Sequence, residues 1–345
     1  MPVAATLRDV AELVGVSIKT VSNVVRGYEH VRESTRAAVL AAIEQTGYQP
    51  NVSARSLRVG RSGVIGLALP DVSLPYFAEL AGAVISEARE AGVTVLIEQT
   101  GAEREVEEEV LRGSRLQLTD GLVFSPLAMG QSDVGRLAVD YPLVLLGERI
   151  FDPPCDHVVM DNVAAARAAT EQLIAAGSRR IAAIGAHLGE DQGSAALRLR
   201  GYREALEAAG LSYDERLVGY AGTWRRHDGA QAMRDVLARE TDVDGVFGMN
   251  DTLAFGALRA LQEEGCAVPD DVRVIGFDDL DETRYTAPSL STVDPGRLEI
   301  ARTAVRVLLE RIEERRSGAT PSAPRRFTTG YRVVERESTR NAPSD

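Results

Sequence analysis

The sequence is poor in the residues that build covalent or metal-centred chemistry. Its 345 residues include only two Cys, four His, one Trp and a single Lys, which is Lys19. Cys155 and Cys266 are too few for a disulfide framework, which fits a reducing compartment. Neither belongs to a cluster with metal-ligand spacing, so we expect no metal site and no cofactor.

Segments that would mark a membrane or secreted protein are also missing. No apolar run is long enough to cross a bilayer, and the mean hydropathy is −0.11. The N-terminus lacks the basic-then-apolar run of a secretory signal, so we expect a cytoplasmic protein with no membrane partner.

Enzyme motifs are absent as well. There is no G-x-G-x-x-G between a strand and a helix, no P-loop and no Ser/His/Asp arrangement. We interpret Glu107-Glu108-Glu109 as a solvated helix face and not as an acid–base group. The sequence therefore indicates a protein that is not an enzyme.

Charge is distributed unevenly. Residues 1–61 hold eight Arg or Lys against five Asp or Glu, a net +3, whereas the remainder holds 31 against 46, a net −15. A basic head on an acidic body would confine phosphate attraction to the head, although chance surface composition could give the same division.

The basic segment contains a helix-turn-helix pattern. Thr6 and Asp9 can form a capping box, after which Leu7, Val10, Ala11 and Val14 recur at helical spacing. Gly15 supplies a turn and Ser17 caps a second helix, in which Val21, Val24 and Val25 point inward. Ile18, Lys19, Ser22 and Asn23 then face outward, as on a helix that enters a major groove. A third helix, roughly 33–46, would pack Ala37, Leu40, Ala41 and Ile43 against the first two.

From Val64 onward, short apolar runs alternate with helical stretches. This alternation is typical of doubly wound parallel α/β sheets, and the number of units indicates two lobes. Strands are predicted at Val64–Leu69, Val93–Ile97, Gly121–Phe124, Leu143–Leu146, Arg180–Ile184, Gly245–Met249 and Val272–Phe277. Helices are predicted near 76–90, 103–116, 162–176, 197–209, 227–239 and 252–264, followed by a helix about 295–316 and a strand near 326–334. Ligands of such folds bind at the carboxyl ends of strands, here in the cleft between the lobes.

The sequence resembles the lac and galactose repressor family of bacterial transcription regulators along nearly its whole length. The head carries Thr6-Leu-x-Asp-Val-Ala, Gly15-Val-Ser-x-x-Thr-Val-Ser-x-Val, Gly47-Tyr-x-Pro-Asn51 and Ala54-Arg-Ser-Leu57. The body carries Pro75-Tyr-Phe, Asp161-Asn, Arg198-Leu-Arg-Gly-Tyr202, Asn250-Asp251 and Pro269-x-Asp-Val-x-Val-Ile-Gly-Phe-Asp278.

The resemblance implies an all-α helix-turn-helix head and a body like periplasmic sugar-binding proteins, with three crossings between lobes. It places the DNA-binding domain at 1–49, a hinge helix or linker at 50–61 and the effector-binding and dimerisation body at 62–340. The N-lobe would comprise about 62–161 plus 293–324, and the C-lobe about 162–292 plus 325–340.

For the head, the resemblance implies a homodimer on a near-palindromic operator in double-stranded DNA. Lys19 can donate to guanine, Asn23 can bond adenine, and Ile18 can contact a thymine methyl. The linker would fold on DNA, with Leu57 entering the minor groove. Arg26 and Arg32 stand where the family commonly has Asn and Ser. The expected DNA-contacting residues are Thr6, Ser17, Ile18, Lys19, Thr20, Ser22, Asn23, Arg26, His30, Asn51, Ala54, Arg55 and Leu57.

For the body, the resemblance implies a small-molecule effector. The matching positions are Phe77, Glu148, Gln192, Arg198, Trp224, Asn250 and Asp278. Arg198 can form two hydrogen bonds with vicinal hydroxyls, and Trp224 can stack on a pyranose. Alternatively, Trp224 is core packing, Asp278 is a cap, or Arg198 forms a surface ion pair.

We therefore expect a repressor of carbohydrate-utilisation genes with a sugar-type effector. A purine is the second choice, because Pro75-Tyr76-Phe77 resembles purine-responsive members, although these have Arg where this chain has Gln192. A solute-binding protein of a transporter fits the body but not the head.

Overall fold

The computed structural model describes residues 5–25, 28, 30–48, 62–113, 118–240 and 242–340. Contacts divide the chain into two compact units, residues 1–62 and 63–345, which we call the head and the body.

Three helices form the described part of the head: α1 (Leu7–Val14), α2 (Ile18–Val25) and α3 (Glu33–Thr46). A reciprocal capping box starts α1, because the Thr6 N–H donates to Asp9 Oδ2 at 2.7 Å and the Asp9 N–H donates to Thr6 Oγ1 at 3.4 Å. Gly15 ends α1 at φ +70°, a left-handed conformation that favours glycine. The Ser17 hydroxyl accepts the Thr20 N–H at 3.1 Å and so caps α2. The predicted caps and turn are confirmed.

Helix α3 turns a different face to the core from the one predicted. Ala37, Leu40 and Ala41 are exposed, with Leu40 at 52%, whereas Val39 and Ala42 are buried. Moving the buried face by one residue rotates it by about 100°. The prediction was wrong for Ala37, Leu40 and Ala41, because Val39 and Ala42 fill the space between the helices, whereas the predicted Ile43 does pack against this core.

The first lobe of the body, the N-lobe, is built on a six-stranded parallel sheet in the order β11-β5-β4-β3-β1-β2. Its strands are β1 (Val64–Leu69), β2 (Thr94–Gln99), β3 (Leu122–Phe124), β4 (Leu143–Leu146), β5 (Asp156–Met160) and β11 (Arg326–Thr329). Alternate residues of β1 enter two different apolar clusters, so both faces of the sheet are covered. One face packs on helices Pro75–Glu90 and Arg297–Ser317, and the other on Arg104–Arg112.

The second lobe, the C-lobe, has a four-stranded parallel sheet in the order β7-β6-β8-β9. Its strands are β6 (Ile181–Ala186), β7 (Val218–Tyr220), β8 (Gly245–Gly248) and β9 (Arg273–Ile275). Its helices are Asn162–Ala175, Ser194–Ala208, Arg226–Leu237 and Asp251–Glu263. An antiparallel pair, β10 (Thr292–Asp294) and β12 (Arg332–Val334), packs beside helix Asn162–Ala175.

The chain passes between the lobes after β5, after β10 and after β11. Thr329 Oγ1 lies 3.0 Å from the Pro295 carbonyl and 3.4 Å from the Val159 carbonyl, so all three crossings are neighbours. A two-lobed α/β body with three crossings agrees with the fold that the resemblance implies.

The structure changes the predicted course of the C-terminal region. The stretch predicted as one strand near 326–334 is two strands in different lobes, because Arg326–Thr329 pairs with β5 while Arg332–Val334 pairs with β10. The chain was expected to enter the C-lobe for the last time at residue 325, which is wrong because β11 belongs to the N-lobe sheet. The third crossing follows Thr329. Strands β5, β7 and β10 had no predicted counterpart.

Among the described residues, no helix combines the length and the apolar character that crossing a membrane requires.

Candidate functional site

A cavity of about 330 Å³ lies between the two lobes of the body. The cavity lies at the carboxyl ends of the parallel strands, and the loops that follow those strands line it. Doubly wound sheets bind ligands at this edge. Lining residues that come soon after strands include Asp71, Ser125, Glu148, His187, Asn250 and Asp278. The predicted place of the cleft is thus occupied by a cavity of ligand size.

Arg198 forms the centre of the inner wall and is only 3% exposed. Its Nε–H donates to Asn162 Oδ1 at 2.7 Å, and its Nη1 donates to the Met249 carbonyl. The guanidinium Cζ lies 3.6 Å from the centroid of the Phe277 ring, and Nη2 lies 3.9 Å from Asp278 Oδ1. Arg198 is therefore not a surface ion pair. Because Nε and one N–H of Nη1 are engaged by the protein, a two-pronged contact with vicinal hydroxyls would have to use the remaining N–H groups of Nη1 and Nη2.

Two carboxyl groups beside Arg198 are buried. Burial raises the pKa of Asp278 to about 7, against the opposing charges of Arg198 and Arg297. Burial also raises the pKa of Glu148, whose Oε1 accepts the Met160 N–H at 3.0 Å. Its Oε2 accepts the Ser194 hydroxyl at 3.2 Å, across the two lobes. Carboxyl groups in such surroundings can accept or donate hydrogen bonds to ligand hydroxyls.

Two aromatic side chains line the cavity from opposite lobes. The Trp224 indole N–H donates to the Gly185 carbonyl at 2.8 Å, so its polar atom is satisfied and its ring supplies an apolar wall. Trp224 also packs against the core of the C-lobe, so its position is compatible with both roles considered for it. Phe77 lies on the N-lobe helix Pro75–Glu90, with Tyr76 in edge-to-face contact at 5.2 Å between ring centroids.

Asn250 combines a structural and an accessible polar group. Its Oδ1 accepts the Leu253 N–H at 2.7 Å and caps helix Asp251–Glu263. This bond fixes the orientation of the side-chain amide and commits the oxygen to the helix. The Asn250 amide nitrogen is then the group that can donate to a ligand.

The outer end of the cavity, which we call the mouth, consists of Asp71, Arg149, His187, Glu190 and Arg225. Arg225 Nη2 donates to Asp71 Oδ2 at 2.5 Å. Arg149 Nη1 lies 3.5 Å from Glu190 Oε2, which also contacts His187 Nδ1 at 2.5 Å. Burial acts to raise the pKa of Glu190, but the His187 hydrogen bond and the Arg149 charge lower it overall. Both ion pairs join the N-lobe to the C-lobe.

Glu107 holds one wall of the cavity in place. Its side chain is fully buried and accepts N–H groups from Leu127, Ala128 and Met129 at 2.7 to 3.1 Å. The segment that it anchors follows β3 and contributes Leu127 to the cavity. Interpreting Glu107 as solvated was therefore wrong, because it shares a helix face with the buried Val110.

The structure brings six of the seven expected effector residues to the cavity: Phe77, Glu148, Arg198, Trp224, Asn250 and Asp278. Gln192 is exposed and is not among the described lining residues, because the loop before helix Ser194–Ala208 turns it outward. The sequence analysis did not assign the residues of the mouth, or Tyr76, to the effector site. Position after a strand's carboxyl end could have found Asp71, Arg149 and His187.

In the head, α2 presents part of the expected surface. Lys19 is exposed, Ile18 is 42% exposed, and Thr20 and Asn23 are half-buried. Ser22 is only 8% exposed, so predicting it as outward-facing was wrong. The reason is that α2 packs against both α1 and α3, which buries a wider face.

Other residues expected to contact DNA are exposed or lie beyond the described part of the chain. Thr6 and Ser17 are exposed and engaged in caps, and His30 is exposed with its ring 5.4 Å from that of Tyr28. Arg32, which stands where the family commonly has Ser, forms no side-chain cap of α3. Arg26, Asn51, Ala54, Arg55 and Leu57 lie outside the described residues.

Comparison with known families gives two matches. The model for bacterial regulatory proteins of the lacI family matches residues 6–51, and the model for a periplasmic binding protein-like domain matches residues 170–339. The transcriptional regulator CelR of Thermobifida fusca is 36% identical, over 96% of this chain and 98% of that protein. The transcriptional repressor PurR of Haemophilus influenzae is 32% identical, over 91% of this chain and 93% of that protein.

Solved structures agree with these matches. A putative lacI-family regulator from Sanguibacter keddieii is 53% identical with a TM-score of 0.74, covering 81% of this chain and 99% of its own. A CelR–cellobiose complex is 31% identical with a TM-score of 0.70, covering 97% and 99%. The lac repressor dimer bound to operator and the anti-inducer ONPF is 27% identical with a TM-score of 0.82, covering 98% and 99%.

Proposed function

The chain belongs to the lacI family of DNA-binding transcriptional repressors, and from that premise we propose that a sugar-type ligand in the body's cavity controls its hold on operator DNA. We propose further that it acts as a homodimer on a near-palindromic operator and regulates carbohydrate-utilisation genes. Similarity to a CelR–cellobiose complex and to an operator-bound lac repressor dimer supports both parts.

The observation that carries the sugar proposal is the composition of the inner cavity. The Trp224 ring lines it together with hydrogen-bonding groups from Asp278, Glu148 and Asn250. A pyranose has an apolar face with hydroxyls around its edge, so an aromatic wall surrounded by polar groups complements it. Closure of the lobes around such a ligand would bias the body toward one of two states.

The DNA-reading proposal depends on Lys19, the exposed cation near the start of α2. We propose that it donates to guanine in each half-site, with Asn23 on a neighbouring adenine. Lys19→Ala in the full chain should then relax base preference at one position per half-site and lower affinity by about 1–3 kcal/mol. A randomised-operator binding assay measures this, and unchanged selectivity would contradict it.

A purine effector is the second candidate, because Tyr76 and Phe77 bring two rings to the cavity wall. Calorimetry on the full chain with glucose, galactose, cellobiose, guanine and hypoxanthine separates the two. Binding of a sugar with no response to the bases supports our proposal. Binding of guanine or hypoxanthine and of no sugar would overturn it.

A gel shift with DNA upstream of the chain's own gene tests operator binding. Repeated at rising salt concentration, it should show the affinity for DNA falling steeply.

A further inference from the structure

The cationic side chains that line the cavity all have acidic neighbours. Among the described residues, the lining arginines are Arg149, Arg198 and Arg225, and the His187 ring lines the cavity beside them. Arg225 lies 2.5 Å from Asp71, Arg149 lies 3.5 Å from Glu190, and Arg198 lies 3.9 Å from Asp278. His187 contacts the same Glu190 carboxylate at 2.5 Å. Each of these side chains in the described wall thus has a carboxyl group beside it.

The pairs at the mouth depend on closure of the cleft. Asp71 and Arg149 belong to the N-lobe, whereas Arg225 and Glu190 belong to the C-lobe. Each pair therefore forms only when the two lobes approach. Arg225 Nη1 adds a 3.5 Å contact with the Ser73 hydroxyl, again across the lobes. Closing the cleft is what neutralises these two arginines.

We propose that the effector is an uncharged sugar, and that the two ion pairs across the mouth exclude phosphorylated and carboxylated sugars from the closed cleft. This inference rests on the sugar-type effector proposed above and narrows it to one chemical class. Glu148 adds a fourth carboxyl group to the three that lie beside arginines, so the described wall holds more carboxyl groups than arginines. A neutral polyol can bond to these groups without bringing a further charge into a buried site.

An anionic ligand would oppose closure in two ways. Burying a phosphate or carboxylate without a free cation leaves an uncompensated charge, which is strongly unfavourable. Recruiting Arg225 or Arg149 to the anion would weaken its pairing with Asp71 or Glu190, and those contacts hold the lobes together. Specificity then comes from a repulsive element as well as from attractive contacts.

The test is calorimetry on the full chain with glucose, cellobiose, glucose 6-phosphate, cellobiose 6-phosphate, glucuronate and cellobionate. The neutral sugar that binds best should bind about a hundredfold or more tightly than its anionic derivative, as expected when a buried charge lacks a partner. Tighter binding of an anionic derivative would overturn this inference and leave the sugar proposal intact. Binding of no sugar, neutral or anionic, would overturn the sugar proposal and this inference with it.

Variants that should bind the anionic derivative more tightly sharpen the test. Asp71→Asn and Glu190→Gln each release an arginine from its partner, so each should narrow the discrimination against the anionic derivative by about tenfold. Glu263→Gln is the matched control, because Glu263 pairs with Arg234 at 2.7 Å and with Arg259 at 2.8 Å outside the described cavity lining. The control should keep the full discrimination. Discrimination unchanged in both mouth variants would show that the ion pairs do not exclude anions.

Discussion

The head and the body hold their functional side chains in opposite ways. In the head, the stabilising hydrogen bonds are local: Thr6 pairs with Asp9, and Ser17 with Thr20. Lys19, the side chain that we propose reads DNA, is exposed. In the body, Arg198 is buried and bonded to groups 36 and 51 residues away. A polymer ligand needs an outward surface on a short helix, whereas a small ligand needs an enclosure that distant segments complete.

The largest effect should come from breaking the body's long-range network. Arg198→Met leaves the Asn162 oxygen, the Met249 carbonyl and Asp278 without their partner, which should lower the free energy of unfolding by about 3–5 kcal/mol. Chemical denaturation of the full chain, followed by the Trp224 fluorescence, measures the loss. Arg167→Met is the control, because Arg167 forms an exposed pair with Glu171 at 2.7 Å, worth less than about 1 kcal/mol. Equal losses of unfolding free energy in the two variants would show that the buried contacts of Arg198 contribute no more to stability than an exposed ion pair.

The next effect is a pH dependence peculiar to the body. Because the pKa of Asp278 rises to about 7 on folding, the unfolded chain loses this proton near pH 4 while the folded chain keeps it. The contribution of Asp278 to stability therefore falls as pH rises from about 4 to 7 and stays level above that, by a few kcal/mol. Asp278→Asn should flatten the fall of the unfolding temperature between pH 5 and pH 8. An unchanged profile in the variant would contradict the buried, protonated state.

A smaller effect is expected at the loop that Glu107 anchors. Glu107→Gln removes charge from an acceptor of three backbone N–H groups, which should cost about 1–3 kcal/mol and weaken ligand binding through Leu127. Glu109→Gln, on the exposed face of the same helix, should change neither quantity. Calorimetry measures the ligand affinity of both variants, and denaturation measures their stability. An unchanged ligand affinity in Glu107→Gln would show that Glu107 contributes to stability alone.

The smallest effect tests the corrected face of α3 in the head. Val39→Ala removes buried methyl groups and should destabilise the head by about 1.5 kcal/mol, whereas Leu40→Ala should change it by less than about 0.5 kcal/mol. Amide hydrogen exchange of α1 to α3 reports the head separately from the body. A larger loss for Leu40→Ala would restore the face expected from the sequence.

The same contrast explains what could be read from the sequence. The caps, the Gly15 turn and the limits of α1 to α3 follow from residues three or four apart, so local patterns predict them. The seven predicted strands of the body were found because each is a short run in which apolar residues predominate. Strands β7 and β10 escaped because each is three residues long and either interrupted by Gly219 or polar at its ends, Thr292 and Asp294, whereas the equally short β3 is entirely apolar.

In the candidate site, too, contacts between residues far apart in the sequence could not be predicted from local patterns. Six inner-wall residues could be placed because the family resemblance marks them, not because their spacing brings them together. The pairing of Asp71 with Arg225 joins positions 154 apart, so no local signal contains it. Glu107 could have been separated from its acidic neighbours, since its spacing to Val110 and Leu111 puts it on the apolar face.

The exposure of Lys19 has a practical consequence. As it is the chain's sole lysine, its ε-amine is the one side-chain target for amine-selective acylating reagents. If α2 lies in a groove, operator DNA should shield that amine from labelling, and mass spectrometry of the intact polypeptide would count the attached tags. Occupancy of the groove could thus be followed on the unmutated protein, one covalent mark per subunit at this position.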